Sequence, residues 1–225
     1  MQFNAKKCYV MNMGNKRRKI KYGYRLHDQP LTTIEHHQYL GVFLSHKFKW
    51  DHHYSYITKK ANQVLGMLRR NLKGCSKTTK SAAYLALVRP HLEYAICVCA
   101  PYETKYIINQ LEMVQCRVAR FVCNNYNQQA SVTEMINELG WDLLEHRRTV
   151  ARLALMKQIQ DGHSAIPSTL TPPAVSRSRR TSISNNRQLQ QTYCRTDAFK
   201  YSFFSENMHR LESPDPIEHL QNSMP

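Results

Sequence analysis

The chain has 225 residues and carries 32 Lys and Arg against 16 Asp and Glu, a formal charge of +16. That length holds one ordinary domain, or a small domain with appendages, and a hydrophobic content of 42% is enough for a core, which excludes a chain disordered throughout. A compact body with this surplus repels itself unless it meets a polyanion, so nucleic acid is the first expected partner and an anionic membrane surface the second.

No apolar run reaches the roughly 18 residues that a membrane span needs, and the N-terminus MQFNAKKCYV lacks the apolar segment of a secretory signal. The expectation is an intracellular protein, nuclear or cytoplasmic, with no membrane partner. Seven cysteines are present: Cys8, Cys75, Cys97, Cys99, Cys116, Cys123 and Cys194. The odd count and the lack of a CxxC argue against a disulfide framework or zinc ribbon and for reduced, buried thiols. His36-His37 and His52-His53 are adjacent pairs whose side chains diverge on a strand or helix, and no HExxH occurs, so no metal site is expected.

Residues 3–13, FNAKKCYVMNM, read as a strand. The basic cluster Lys16-Arg17-Arg18-Lys19 forms a turn, and IKYGYRL, with Ile20, Tyr22 and Tyr24 alternating, returns as its hairpin partner. That basic turn is either a solvated guard of a sheet edge or a phosphate contact. His27-Asp28-Gln29-Pro30 makes a second turn. LTTIEHHQYLGVFLS then gives one or two further strands, and Gly41 inside them marks a bulge or a close backbone approach. Residues 1–50 are thus a small antiparallel sheet of hairpins, too small to stand alone.

From Asp51, read as an N-cap, Ile57, Ala61, Val64, Leu65, Leu68 and Leu72 form a helical stripe, with Gly74 as the stop. Lys59, Lys60, Gln63, Arg70 and Lys73 take the other side, and no acid occurs from His52 to Pro90. This face is either simply solvated or a nucleic-acid surface. Ser76 caps the next helix, in which Tyr84, Leu87, Val88, His91, Ala95 and Val98 form one stripe and Leu85, Leu92, Ile96 and Cys99 another, as in a segment buried on more than one side. Pro90 must kink or restart it. Pro101 suits the first turn of the following helix, where Ile107, Ile108, Leu111, Val114, Val118, Phe121 and Val122 hold the period while Arg117 and Arg120 project elsewhere. Ser131-Val-Thr-Glu134 is a capping box ahead of Met135, Ile136 and Leu139, with Gly140 as the stop. Asp142 and Glu145 repeat the pattern for a last helix that carries Leu143, Leu144, Val150, Ala154 and Ile159, is studded with Arg147, Arg148, Arg152 and Lys157, and ends at Gly162.

Beyond His163 the text turns to Ser, Thr, Pro, Asn and Gln, with Arg177, Arg179, Arg180, Arg187 and Arg195 and no acids up to Thr196. A disordered basic tail is expected over 163–225, in which the RSRR run is either a solvating stretch or an import or phosphate-binding patch, and DAFKYSFF is an apolar segment able to dock back on the body. The expected organisation is α+β and mostly α: hairpins over 1–50, a bundle of amphipathic helices over 51–162, and the tail over 163–225.

Polymerase or nuclease chemistry with two metals needs clustered carboxylates. The six aspartates, Asp28, Asp51, Asp142, Asp161, Asp197 and Asp215, are never adjacent or spaced by one residue, and no phosphate-cradling glycine loop occurs. The residues alone describe a basic, mostly helical nucleic-acid-binding chain that is not a complete enzyme.

The order FNAKKC, YLGVFLSHKFKWDHH, AAYLALVRPHLEYA, LEMVQCRVARFV and SVTEMINELGWDLLEHRR resembles the C-terminal part of the reverse transcriptases of non-LTR (LINE-type) retrotransposons of the jockey-like groups, over about residues 3 to 160, with an echo at FKYSFF. The resemblance implies the end of the polymerase palm followed by a helical thumb. It places Asn4 and Lys7 on a palm motif, with Lys7 near the incoming nucleotide's phosphates. Tyr39, Leu40, Gly41 and Val42 fall on the hairpin that grips the primer end, and Trp50 and His53 on the W-x-x-H that opens the thumb. It gives Lys59, Lys60, Arg70, Lys73, Arg147, Arg148 and Arg152 a role in holding the backbone of an RNA or RNA–DNA duplex. The remainder of a reverse transcriptase chain is the other implied partner. The family's paired aspartates would precede Met1, so Mg2+ would belong to motifs outside this sequence, and no cofactor is expected in it. Cys99 stands where the family has Trp, and SENMHRLESPDP replaces the family's ending, as in a fragment of a decayed element. The competing expectations are a non-catalytic nucleic-acid-binding module and an inert remnant.

Overall fold

The computed structural model describes residues 4–14, 22–99, 105–167, 170 and 193–211. The chain is α+β and mainly helical, with short strand pairs at the N-terminus followed by a helical bundle. The strand expected over residues 3–13 contracts to β1, Tyr9–Val10. The cause is local: Asn4 Oδ1 accepts from the Lys6 N–H at 3.0 Å and draws Ala5–Lys7 into a 3-10 turn. β1 also takes a different partner from the one expected. It pairs in parallel with β4, Thr32–Thr33, in the register Tyr9↔Thr32.

Between them, β2, Arg25–Leu26, and β3, Gln29–Pro30, form an antiparallel hairpin. Its turn residues His27 and Asp28 both have positive φ, 46° and 61°, the geometry that suits the twist of two-residue hairpins. The basic cluster 16–19 and Ile20 lie outside the described residues. Tyr22 and Tyr24 are not in a strand; their exposed rings meet edge to face at 4.9 Å. A third pair, β5, His36–Tyr39, and β6, Val42–Ser45, is antiparallel with Tyr39 opposite Val42. Leu40 and Gly41 are its two-residue turn, at φ 47° and 80°, so Gly41 closes a hairpin and does not bulge a strand. Instead of one sheet there are three two-stranded pairs among the described residues.

The core lies in the helices. α1, Asp51–Asn71, buries His53, Tyr54, Ile57, Ala61, Leu65 and Leu68. Asp51 is its first residue and Trp50 the cap position, so the aspartate serves the positive end of the helix and caps no amide. α1 ends at Asn71, before Gly74. Ser76 caps α2, Lys77–Ala83, accepting from the Thr79 N–H at 3.2 Å. The proline effect then appears one turn early. Tyr84–Val88 is a π turn in which the Arg89 N–H reaches Tyr84 O, and Pro90, with no N–H to place, follows in α3, Arg89–Glu93. The wider turn merges the two expected stripes into one, Tyr84, Val88 and Leu92, and leaves Leu87 and Val98 exposed.

α4, Lys105–Cys123, buries Ile107, Leu111, Val114, Val118, Phe121 and Val122 as the periodicity predicts, and Gln115 as well; Pro101 lies outside the described residues. α5, Val132–Glu138, starts on Ser131, which accepts from the Glu134 N–H at 3.3 Å, and stops at Gly140 with φ 64°. α6 is Leu144–Gln160. Neither Asp142 nor Glu145 caps it. Glu112 of α4 does, accepting from the Leu144 N–H at 3.3 Å and the Glu145 N–H at 2.8 Å. Leu144 and Ile159 are buried as expected, but Val150 and Ala154 are only half-buried and Leu143 is exposed, while Leu153 and Met156 are buried in their place.

Most of the expected basic tail lies outside the described residues, but two helices emerge within it: α7, Asp197–Lys200, and α8, Phe203–Leu211. α8 docks on α6, with Met208 against Met156 beside Phe203 and Phe204. Burying one leucine of the bundle is worth about 1.5–3 kcal/mol, whereas a cross-strand pair contributes about 0.2–1 kcal/mol. The bundle therefore holds the strand pairs in place. β6 rests on α1, where the Phe43 N–H points at His53 Nδ1, 3.5 Å away.

Candidate nucleic-acid interface

The basic residues fall into two groups by the company they keep. The three arginines of α6 engage carboxylates of other helices, whereas Lys157 on the same helix is exposed. Arg147 forms a forked pair with Glu93, through Nε to Oε1 and Nη2 to Oε2, and the attached carboxylate raises its pKa. Arg148 and Arg152 are each only 6% exposed. Arg148 Nη2 lies 3.8 Å from Glu112, and Arg152 Nη1 lies 2.9 Å from Glu206. These three arginines do not form the outer face expected of them. Periodicity treats an arginine as a surface residue, and nothing in the local text of α6 announces the carboxylates, which come from α3, α4 and α8. Arg69 and Arg117 are also structural: Arg69 donates to Arg117 O at 3.1 Å, and Arg117 to Asn62 Oδ1 at 3.0 Å, tying α4 to α1.

The second group stays outside. Lys59, Lys60 and Arg70 are exposed on α1 and Lys73 just beyond it, and no ion pair involves any of the four among the described residues. Arg70 folds over the helix, its Nη1 3.7 Å from the position a Cβ on Gly66 would take. Tyr56 and Met67 share this face, exposed by 37% and 39%. At its N-terminal end Phe43, His52 and Tyr56 stack edge to face, with centroids 4.6 and 4.9 Å apart. Lys60 stands close to His91 of α3, whose pKa is lowered by burial and then by that charge. The face thus combines fixed positive charge with aromatic rings, the two ingredients of a backbone-tracking, base-stacking surface.

The turn of β5–β6 belongs to the same end of the molecule. Tyr39 and Leu40 project into solvent, at 60% and 74% exposure. The Tyr94 hydroxyl, just after α3, donates to Leu40 O at 2.6 Å. The Tyr94 ring lies 3.2 Å from where a Cβ on Gly41 would stand. Gly41 is therefore a close-approach glycine as well as a turn residue. Lys7 lies in the exposed 3-10 turn before β1, and Tyr9 of β1 meets His37 of β5 at 5.2 Å. Through that contact the segment that carries Lys7 reaches the hairpin.

Sequence reading missed the interior polar contacts. Tyr54 is 3% exposed and donates to Cys99 O at 2.7 Å, and burial holds its phenol well above the ordinary range. Cys99 itself is 2% exposed and is pushed up to about 12 by desolvation. None of the seven cysteines is in a disulfide, and burial raises the Cys97 and Cys116 thiols as well, which makes these three poor nucleophiles at neutral pH. Among the described residues no group of three or more His, Cys, Asp or Glu is placed to hold a metal ion, and no helix is long and apolar enough to cross a membrane. No protein-family model, curated protein or solved structure matches the chain.

Proposed function

We propose that the chain is the palm end and thumb of a non-LTR retrotransposon reverse transcriptase, and that it grips an RNA–DNA template–primer duplex without supplying the aspartates that perform the chemistry. The observation that carries the reading is the outer face of α1, where Lys59, Lys60, Arg70 and Lys73 stand exposed beside Tyr56 in a stretch without acids from His52 to Pro90. A thumb holds its duplex by the phosphate backbone, which calls for fixed positive charge and little base readout. The Tyr39–Gly41 turn, held by Tyr94, fits the primer-grip role that the sequence order implies, and Lys7 the phosphate-proximal one. Arg147, Arg148 and Arg152 have no part in the grip as the molecule stands.

The test is a salt titration of binding to an RNA–DNA hybrid by fluorescence anisotropy. Binding should weaken steeply with salt and discriminate little between sequences. Replacing Lys59, Lys60, Arg70 and Lys73 together by Ala should weaken it at least tenfold at low salt and flatten the logarithmic salt slope by about 0.9 for each phosphate no longer neutralised. Unchanged affinity and slope in that variant would remove the α1 face from the reading. The chain alone should extend no primer on an RNA template with magnesium and nucleotides; extension abolished by Lys7→Ala would show that the chemistry resides here after all.

A further inference from the structure

Arg148 and Arg152 present a buried site with more donors than acceptors. Each guanidinium carries five N–H groups and both are more than nine-tenths buried. Nη1 and Nη2 of Arg148, and Nε and Nη2 of Arg152, have no hydrogen-bond partner among the described residues. The facing carboxylates satisfy little of this: Glu112 is 3.8 Å from Arg148 and already caps α6, and Glu206 meets Arg152 at a single nitrogen. The two residues are four apart on α6, Leu144–Gln160, so they lie one turn apart on the same flank of that helix. Buried cations of this kind favour an oxyanion with several acceptor atoms.

What covers Arg152 is α8. Glu206 supplies the ion pair, the Phe203 ring lies 5.8 Å from the guanidinium, and Met208 packs on Met156. A nine-residue helix is too short to persist by itself, so α8 exists as a helix only while it is docked. In the chain it is separated from the end of α6 by residues 161–202.

We infer that α8 is a displaceable occupant of an anion site, that Glu206 stands in for a nucleic-acid phosphate on Arg152, and that a bound duplex exchanges α8 for its own backbone, which then engages Arg152 and Arg148. The inference goes beyond the α1 face and takes only the class of ligand from the reading above. It makes α8 a self-inhibitory latch and α6 a second contact line that opens after the first.

The test uses the full chain, an RNA–DNA hybrid, and two readouts. Hydrogen exchange on the wild type should show α8 protected when free and deprotected at saturating hybrid; protection that persists at saturation overturns the latch. Met208→Asp, which breaks the docking of α8 on Met156, should bind the hybrid about tenfold more tightly and steepen the salt slope by roughly 1 to 2, as expected when one or two further phosphates are neutralised. Adding Arg152→Gln to Met208→Asp should cancel the gain. A Met208→Asp variant with α8 deprotected but with unchanged affinity and slope overturns the proposal. A wild type that fails to bind beside a Met208→Asp that binds upholds the latch and discards the α1 face. Binding by neither discards both.

Discussion

His53 is the residue whose surroundings have the clearest consequence. It is 1% exposed, its Nδ1 faces the Phe43 N–H, and its Nε2 has no partner among the described residues. Burial, then the neighbouring His52, lowers its pKa from 6.5. Between 6.5 and the lower folded value the unfolded chain therefore binds more protons than the folded one, so stability falls as pH drops through that window and is flat above it. Urea midpoints measured from pH 8 down to pH 5 should hold steady and then decline below about 6.5, and His53→Asn should lower the midpoint while making the acid-side decline shallower, the remainder coming from His91, whose pKa burial also lowers. Gly41 gives a second prediction at this scale. Its φ is +80° and a Cβ would sit 3.2 Å from the Tyr94 ring, so Gly41→Val should destabilise by about 1–3 kcal/mol through backbone strain alone. Tyr94→Phe should cost less, about 0.5–1.5 kcal/mol for its hydrogen bond to Leu40 O. Both are readable by chemical denaturation.

At the scale of elements, α6 depends on a residue of α4. Glu112→Ala removes the acceptor of two amides, worth about 0.5–2 kcal/mol as a cap, and also the carboxylate nearest a buried arginine, where loss of the partner is worth more. Glu112→Gln keeps one acceptor and loses the charge. The alanine variant should therefore be the less stable of the two, and α6 should lose exchange protection from its N-terminal end. The limits of sequence reading lie in the same features. α1, α4 and α5 were legible because their apolar residues recur at helical spacing, and Ser76 before α2 and Ser131 and Gly140 around α5 mark ends with local chemistry. The Glu112 cap, the inward arginines of α6 and the parallel pairing of β1 with β4 were not, because each depends on residues distant in the chain. The face of α1 was readable from the lack of acids alone, whereas its separation from α6 required knowing where Glu93, Glu112 and Glu206 lie.

At the scale of the whole molecule, a charge of +16 with several arginines already paired inside leaves the surface strongly positive. Screening should relieve the self-repulsion, so the melting temperature should rise between about 0.05 and 0.5 M salt, with sulfate more effective than chloride; a fall over that range would mean that the ion pairs of α6 outweigh the surface repulsion. The tie between Leu40 and Tyr94 spans 54 residues, and it has a bearing on the order of assembly. During synthesis the β5–β6 turn leaves the ribosome well before Tyr94 is made, and before α4, against which α1 packs, has emerged. Two-stranded pairs of this size do not persist alone. The N-terminal strands must therefore wait, unsettled and rich in exposed aromatic rings, until α4 has emerged from the ribosome as far as Cys123. A nascent chain paused before that point should be open to proteolysis throughout its strand region, and one released beyond it should not.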